Sequence, residues 1–165
     1  MLHKGNNISN NNNRVRKVSM KKYRVIKTYG NETGLSCAFR QWKATSHCNL
    51  IHGYALGFEV TFESTELDER NWVIDFGDLG KLKDFLKETF DHTTVVAEDD
   101  PMLNTFTELS NQGLLDLRVM KNVGCEMFAE EVFNFCALHL DDDRVQVKSV
   151  RCFEHGANSA VFGNF

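Results

Sequence analysis

The sequence contains a single proline, Pro101, in 165 residues. One such break argues for a compact body with one notable loop. No run of 18 or more apolar residues occurs, so no membrane-spanning helix is expected. The N-terminus lacks an apolar core of the kind a secretory signal needs, and no export is expected. The five cysteines, Cys37, Cys48, Cys125, Cys136 and Cys152, include no Cys-x-x-Cys pair. An odd number at irregular spacing argues against a disulfide framework and fits reduced thiols in a cytoplasm. The net charge of −4 gives no sign of nucleic-acid binding by the whole chain. There is no internal repeat. What remains is an apolar share of 42%, enough for the core of one domain.

Residues 1–19 read as a tail. Gly5 to Asn13 holds six asparagines and almost nothing apolar, so it cannot offset the entropy of ordering. Arg14, Arg16 and Lys17 follow, with Lys21 and Lys22 just beyond. They are read as a solvated lead-in or as a weak anchor for nucleic acid. Met20 is a candidate start. Residues 20–165 form one domain.

Tyr23 to Tyr29 suits a strand, and Leu35 to Trp42 a second. Leu56, Phe58, Val60 and Phe62 alternate with smaller or polar residues, the period of a half-buried strand. Trp72-Val73-Ile74 reads as a short extended piece. Asp78 is the expected N-cap of a helix whose apolar face is Leu79, Leu82, Phe85, Leu86 and Phe90. Thr93 to Pro101 is expected to be a loop with an acidic run. Met102 to Gln112 reads as a second helix, and Leu114 to Met120 as a short strand. Gly124 to Leu140 reads as a third helix, ending before Asp141-Asp142-Asp143. Val145 onward forms a last hairpin turning at Glu154–Asn158. This order predicts an α+β fold with helices on one face of an antiparallel sheet.

Chemistry concentrates in Ser46-His47-Cys48-Asn49-Leu50-Ile51-His52, just before the strongest strand. Neighbouring imidazoles favour a thiolate at Cys48; the alternative is a small buried thiol. His47 and His52 offer two imidazoles to zinc, short of the three protein ligands of a catalytic site. Asp91-His92 is a candidate acid–base pair or a polar helix end. Glu154 is a candidate carboxylate acceptor for a ring edge, or an exposed turn residue. Arg40, in an apolar strand, either pairs with a carboxylate or meets an anionic substrate.

These pieces, in this order from Leu35 to Phe162, resemble the 6-pyruvoyl- and 6-carboxy-tetrahydropterin synthase family. Cys48 followed by His52-Gly53-Tyr54 stands for the family's Cys and His-Gly-His. Asp75-Phe76 leads to a helix ending in Asp91-His92. Val123-Gly124-Cys125-Glu126-Met127 takes the place of Pro-Thr-Ser/Ala-Glu-Asn, and Glu154 closes the series. The resemblance implies the tunnelling fold, two helices on a four-stranded antiparallel sheet, assembled as a homohexamer. It implies a lyase in a cytoplasmic, queuosine-like pathway, acting on 7,8-dihydroneopterin triphosphate. Cys48 would be the base, Asp91 and His92 its relay, and Glu154 the pterin anchor beside Cys125 and Glu126. Zinc would be held by three histidines, with His52 a secure match and His47 a replacement ligand.

The short Cys-x3-His spacing favours the 6-carboxy branch over the 6-pyruvoyl branch. Two positions depart from the pattern. Tyr54 replaces the second histidine of His-Gly-His, and the first-strand histidine has only Cys37, Phe39 or Gln41 near its place. The alternative reading is a pterin- or purine-binding module that has lost metal-dependent catalysis.

Overall fold

A computed structural model describes residues 21–165. The expected 1–19 tail therefore lies outside the described residues. Strand β1 (Tyr23–Tyr29), a single 3-10 turn at Asn31–Thr33 and strand β2 (Leu35–Phe39) open the described chain. Strand β3 (His52–Ser64) is the long central strand. Helix α1 (Gly80–Phe90), strand β4 (Thr93–Ala97), helix α2 (Leu103–Asn111) and strand β5 (Leu117–Met120) follow. Helix α3 (Cys125–His139) and the hairpin of β6 (Val145–Phe153) and β7 (Ser159–Gly163) complete the chain.

The sheet order is β5-β4-β2-β3-β6-β7, with β1 also paired to β3. The α+β tunnelling fold stands, but the sheet has seven strands rather than four. β1, β2, β3, β6 and β7 supply the antiparallel part. β4 and β5 extend it in parallel. Residues 93–97 are thus a strand where a loop was expected. Thr93, Val95, Val96 and Ala97 are buried between two neighbours, so no exposed alternation marks them. The segment 72–74 forms no strand.

Leu56, Phe58, Val60 and Phe62 of β3 are fully buried beneath the helices. Phe90 of α1 packs on Phe58 and edge-on to Phe128 of α3. Phe85 and Phe135 stack at 4.0 Å, joining the two helices over one face. The start of α1 differs from expectation. The Asp75 carboxylate accepts from the Gly77 N–H and opens a 3-10 turn at Phe76–Leu79. Asp78 lies inside that turn, and the regular helix begins at Gly80. Among the described residues no helix is long and apolar enough to cross a membrane.

Two local constraints place the Cys48 loop. A Cβ on Gly53 would lie 2.7 Å from the Cys37 carbonyl oxygen, so β2 and β3 approach closely only with glycine here. Arg40 resolves its two readings by pairing with a carboxylate. Its Nε and a terminal nitrogen donate to the buried Asp100 at 2.8 and 2.7 Å. Arg40 also donates to the Asn49 carbonyl, while the Gln41 N–H donates to the Cys48 carbonyl at 2.9 Å. The β2–β3 connection is therefore tied to the residues after β4. Around it, Trp42 and Lys43 donate to Asp99.

Gly53→Ala is expected to destabilise the fold by about 1–3 kcal/mol through overpacking against backbone, read as a lower thermal midpoint. The Arg40 guanidinium holds the Asp100 carboxyl below the usual carboxylate range. A depressed folded-state pKa adds stability that is present above the unfolded pKa and lost as pH falls through the folded one. Asp100→Asn should thus cost about 2–4 kcal/mol at neutral pH. The cost should shrink on acidification below the unfolded value near 4, as chemical unfolding at several pH values would show.

Candidate functional site

A cavity of about 320 Å³ opens where three parts of the fold meet. The first is the β2–β3 corner, with Phe39, Gln41, Cys48 and His52. The second is the start of α3, with Val123, Gly124, Cys125 and Glu126. The third is the β6–β7 turn, with Glu154, Asn158 and Ser159. A larger apolar groove lined by Tyr23, Trp72 and Phe76 lies elsewhere and carries no comparable set of reactive groups.

Each part is shaped locally. Ser46 caps the 3-10 turn His47–Asn49 by accepting from the Cys48 N–H. That turn leaves the Cys48 thiol exposed at the mouth of the cavity. His52 opens β3, and its Nδ1 lies 2.8 Å from the Leu50 carbonyl. A carbonyl only accepts, so Nδ1 carries the proton and Nε2 of the neutral ring presents a lone pair. Gly124 precedes α3 with φ +116° and ψ 165°, a region open to glycine. No side chain caps the helix start, which leaves first-turn N–H groups available at the cavity wall. The Gln41 amide donates to the Val123 carbonyl and joins the two walls. Glu154 is half-buried, and Asn158 donates weakly to it at 3.5 Å across the turn.

The cavity thus gathers Cys48, His52, Cys125, Glu126 and Glu154. It leaves out three other sequence candidates. His47 is exposed and absent from the wall. Asp91 and His92 form a tight pair, with Nδ1 donating to the carboxylate at 2.6 Å, but they lie elsewhere. β4 runs parallel to β2 with Thr93 level with Cys37 and Val95 level with Phe39. The pair precedes β4, whereas the Cys48 loop follows β2. They are separated by roughly 10 Å or more along the sheet at the usual strand rise. The His92 side chain is 86% exposed and the Asp91 side chain 34%, so the imidazole faces solvent rather than this subunit's cavity.

The β2–β3 register shows which side chains stand around His52. Phe39 is the cross-strand partner of His52, and Cys37 that of Tyr54. The Phe39 and His52 rings are 5.0 Å apart, Phe39 and Tyr54 6.2 Å, and His52 and Tyr54 5.7 Å. One imidazole, one phenyl and one phenol do not make a three-histidine zinc site. Among the described residues no group of three His, Cys, Asp or Glu side chains is gathered to hold a metal ion. Burial pushes the Cys37 thiol up to about 12, which leaves it a poor donor. Cys152 is raised too, by the neighbouring Cys125 and by burial. Burial, then the nearby Glu154, Cys48 and Cys125, raise Tyr54 and keep its hydroxyl protonated.

Sequence reasoning passed over Asn158 and Ser159 in the wall. Their signal was position, a few residues after Glu154 in the same turn. Of Cys37, Phe39 and Gln41, the three residues near the expected first-strand histidine, Phe39 is the one that pairs with His52.

Comparison with known proteins gives this arrangement a family. The sequence model of the 6-pyruvoyl tetrahydropterin synthase family matches residues 29–164. The 6-carboxy-5,6,7,8-tetrahydropterin synthase of Aquifex aeolicus is 32% identical over 69 residues, which span 42% of this chain and 43% of that protein. The chain therefore matches less than half the length of that relative. An uncharacterised protein from Wolinella succinogenes superposes with a TM-score of 0.77 at 21% identity, covering 88% of this chain and 99% of that one. The 6-pyruvoyl tetrahydropterin synthase of Plasmodium vivax gives 0.63 at 14% identity, covering 87% and 98%. That of Caenorhabditis elegans gives 0.55 at 15%, covering 88% and 96%. At such identities the structural likeness speaks for the fold, and the match over residues 29–164 places the chain: it belongs to the 6-pyruvoyl tetrahydropterin synthase family.

Proposed function

We propose that the cavity binds a pterin and that the chain is a lyase of the 6-carboxy-tetrahydropterin synthase type, acting on 7,8-dihydroneopterin triphosphate. The observation that carries this reading is the convergence of Cys48 and Glu154 on one cavity in a chain of this family. The cavity volume suits a small bicyclic ring with a short side chain. The Cys-x3-His spacing and the Aquifex relative's name support the 6-carboxy over the 6-pyruvoyl product.

The roles follow from chemistry. A pterin presents an N–H and an amino group on one ring edge. The Glu154 carboxylate can accept both in parallel, a charge-assisted pair. The bare N–H groups at the start of α3, beside Cys125 and Glu126, suit the ring's carbonyl oxygen. Phe39 supplies an apolar face for the ring. Cys48, exposed at the mouth, takes a side-chain proton as thiolate.

Asp91 and His92 can serve this thiol only from another copy of the chain, because their own subunit turns them away. The relay reading therefore goes with a homo-oligomer, for which a hexamer is the proposed form. No step passes through zinc, since Phe39 and Tyr54 stand where two of its histidines would be. A cytoplasmic place in a queuosine-like pathway accords with five free thiols. A second reading, a pterin- or purine-binding module without turnover, is favoured by the same two substitutions.

Glu154→Gln should weaken neopterin binding about 10- to 100-fold by titration calorimetry, because one acceptor becomes a donor. Cys48→Ala should leave binding within about twofold while turnover of dihydroneopterin triphosphate is lost. Equal turnover by Cys48→Ala and the parent would remove Cys48 from the mechanism. Binding with no turnover by the parent would select the module.

A further inference from the structure

At the β2–β3 corner the proposed chemistry uses Phe39 but neither His52 nor Tyr54. Phe39, His52 and Tyr54 lie on neighbouring register positions, with ring centroids 5.0 to 6.2 Å apart. Tyr54 also lies 6.0 Å from His155, which follows the anchor Glu154. Its ring adjoins Phe39 and His52, which line the cavity. A tyrosine there keeps an O–H donor on an otherwise apolar ring. His52 is already turned by its bond to Leu50, so its free nitrogen is an acceptor and cannot duplicate that donor in the neutral ring.

We infer that this wall works without a metal, and that the Tyr54 hydroxyl donates a hydrogen bond to a side-chain oxygen of the bound pterin at the place the family gives to zinc. The inference rests on the pterin reading above. Where a three-histidine site needs ligating nitrogens, Phe39 and Tyr54 offer one apolar face and one hydrogen-bond donor. Phe39 closes the space between the strands, and its edge-on contact with the buried Phe128 at 5.2 Å fixes its ring. Tyr54 then supplies one oriented proton rather than an electron-pair acceptor. Such a donor recognises a hydroxyl or carbonyl oxygen and gives less acidification of the adjacent carbon than a metal ion gives.

The test uses the full chain and two readouts. The parent protein, incubated with excess zinc and desalted, is assayed for metal by elemental analysis. Neopterin affinity is then measured with and without EDTA. The expected results are far less than one zinc per chain, binding unchanged by EDTA, and an affinity about tenfold weaker in Tyr54→Phe, whose thermal midpoint should match the parent. The double variant Phe39→His/Tyr54→His, which restores three imidazoles, should take up about one zinc per chain. About one zinc on the parent, lost in His52→Ala, would overturn the inference. Equal neopterin affinity in Tyr54→Phe would overturn the donor role. A double variant that takes up no zinc would overturn the assignment of these positions as the exchanged ligands. A parent that binds neither zinc nor neopterin would fail on the pterin reading itself and would take the donor role down with it.

Discussion

Strand β3 is bonded on both edges, and the close approach of β2 to Gly53 fixes how those edges align. A side chain at residue 53 would run into the Cys37 carbonyl. With glycine there, Phe39 falls opposite His52, and Cys37 opposite Tyr54. That register chooses the rings of the cavity wall. It buries the Cys37 thiol and leaves Tyr54 half-exposed. Further along the same strand, Gly57 pairs with Phe153, which delivers Glu154 and the β6–β7 turn to the opposite side of the cavity. The site is therefore a consequence of the pairing of one strand with its two neighbours.

The loop that bears Cys48 has little core of its own, and its position depends on charge. Arg40 and Asp100 form a two-pronged pair with the carboxylate out of solvent. Removing either partner leaves an uncompensated charge, so the arrangement is held more firmly than a surface ion pair would be. The Asp91–His92 pair presents the contrary case. Its imidazole is open to solvent just before β4, away from the Cys48 cavity of its own subunit. A fold that makes such a pair and turns it outward fits an assembly in which one copy completes another.

Much of the fold was legible because its signals are local. The alternation of Leu56, Phe58, Val60 and Phe62 matches four fully buried positions. The apolar faces of α1 and α3 are equally plain, and α3 stops before its acidic run as charge near a helix C-terminus requires. What failed was not local. Residues 93–97 are buried from both sides by β2 and β5, so their sequence has no polar face to mark a strand. Asp75 and Asp78 are both good caps, and the nearer Gly77 N–H decided in favour of Asp75. At the site, the order of Cys48, Cys125, Glu126 and Glu154 was readable, since each stands in a motif. The partner of His52 was not, because register is set by the whole pair of strands. Nor was the outward turn of Asp91–His92, which depends on the direction of β4.

In the proposed complex a pterin lies between Glu154 and the Phe39–His52–Tyr54 cluster with no metal between them. Its most direct test is a crystal structure of the chain grown with neopterin and zinc, with anomalous data collected on both sides of the zinc absorption edge. The account predicts the amino edge of the ring on the Glu154 carboxylate, the Tyr54 hydroxyl on a side-chain oxygen, and no anomalous peak beside His52. A peak at His52 Nε2, or a pterin bound away from Glu154, would contradict it.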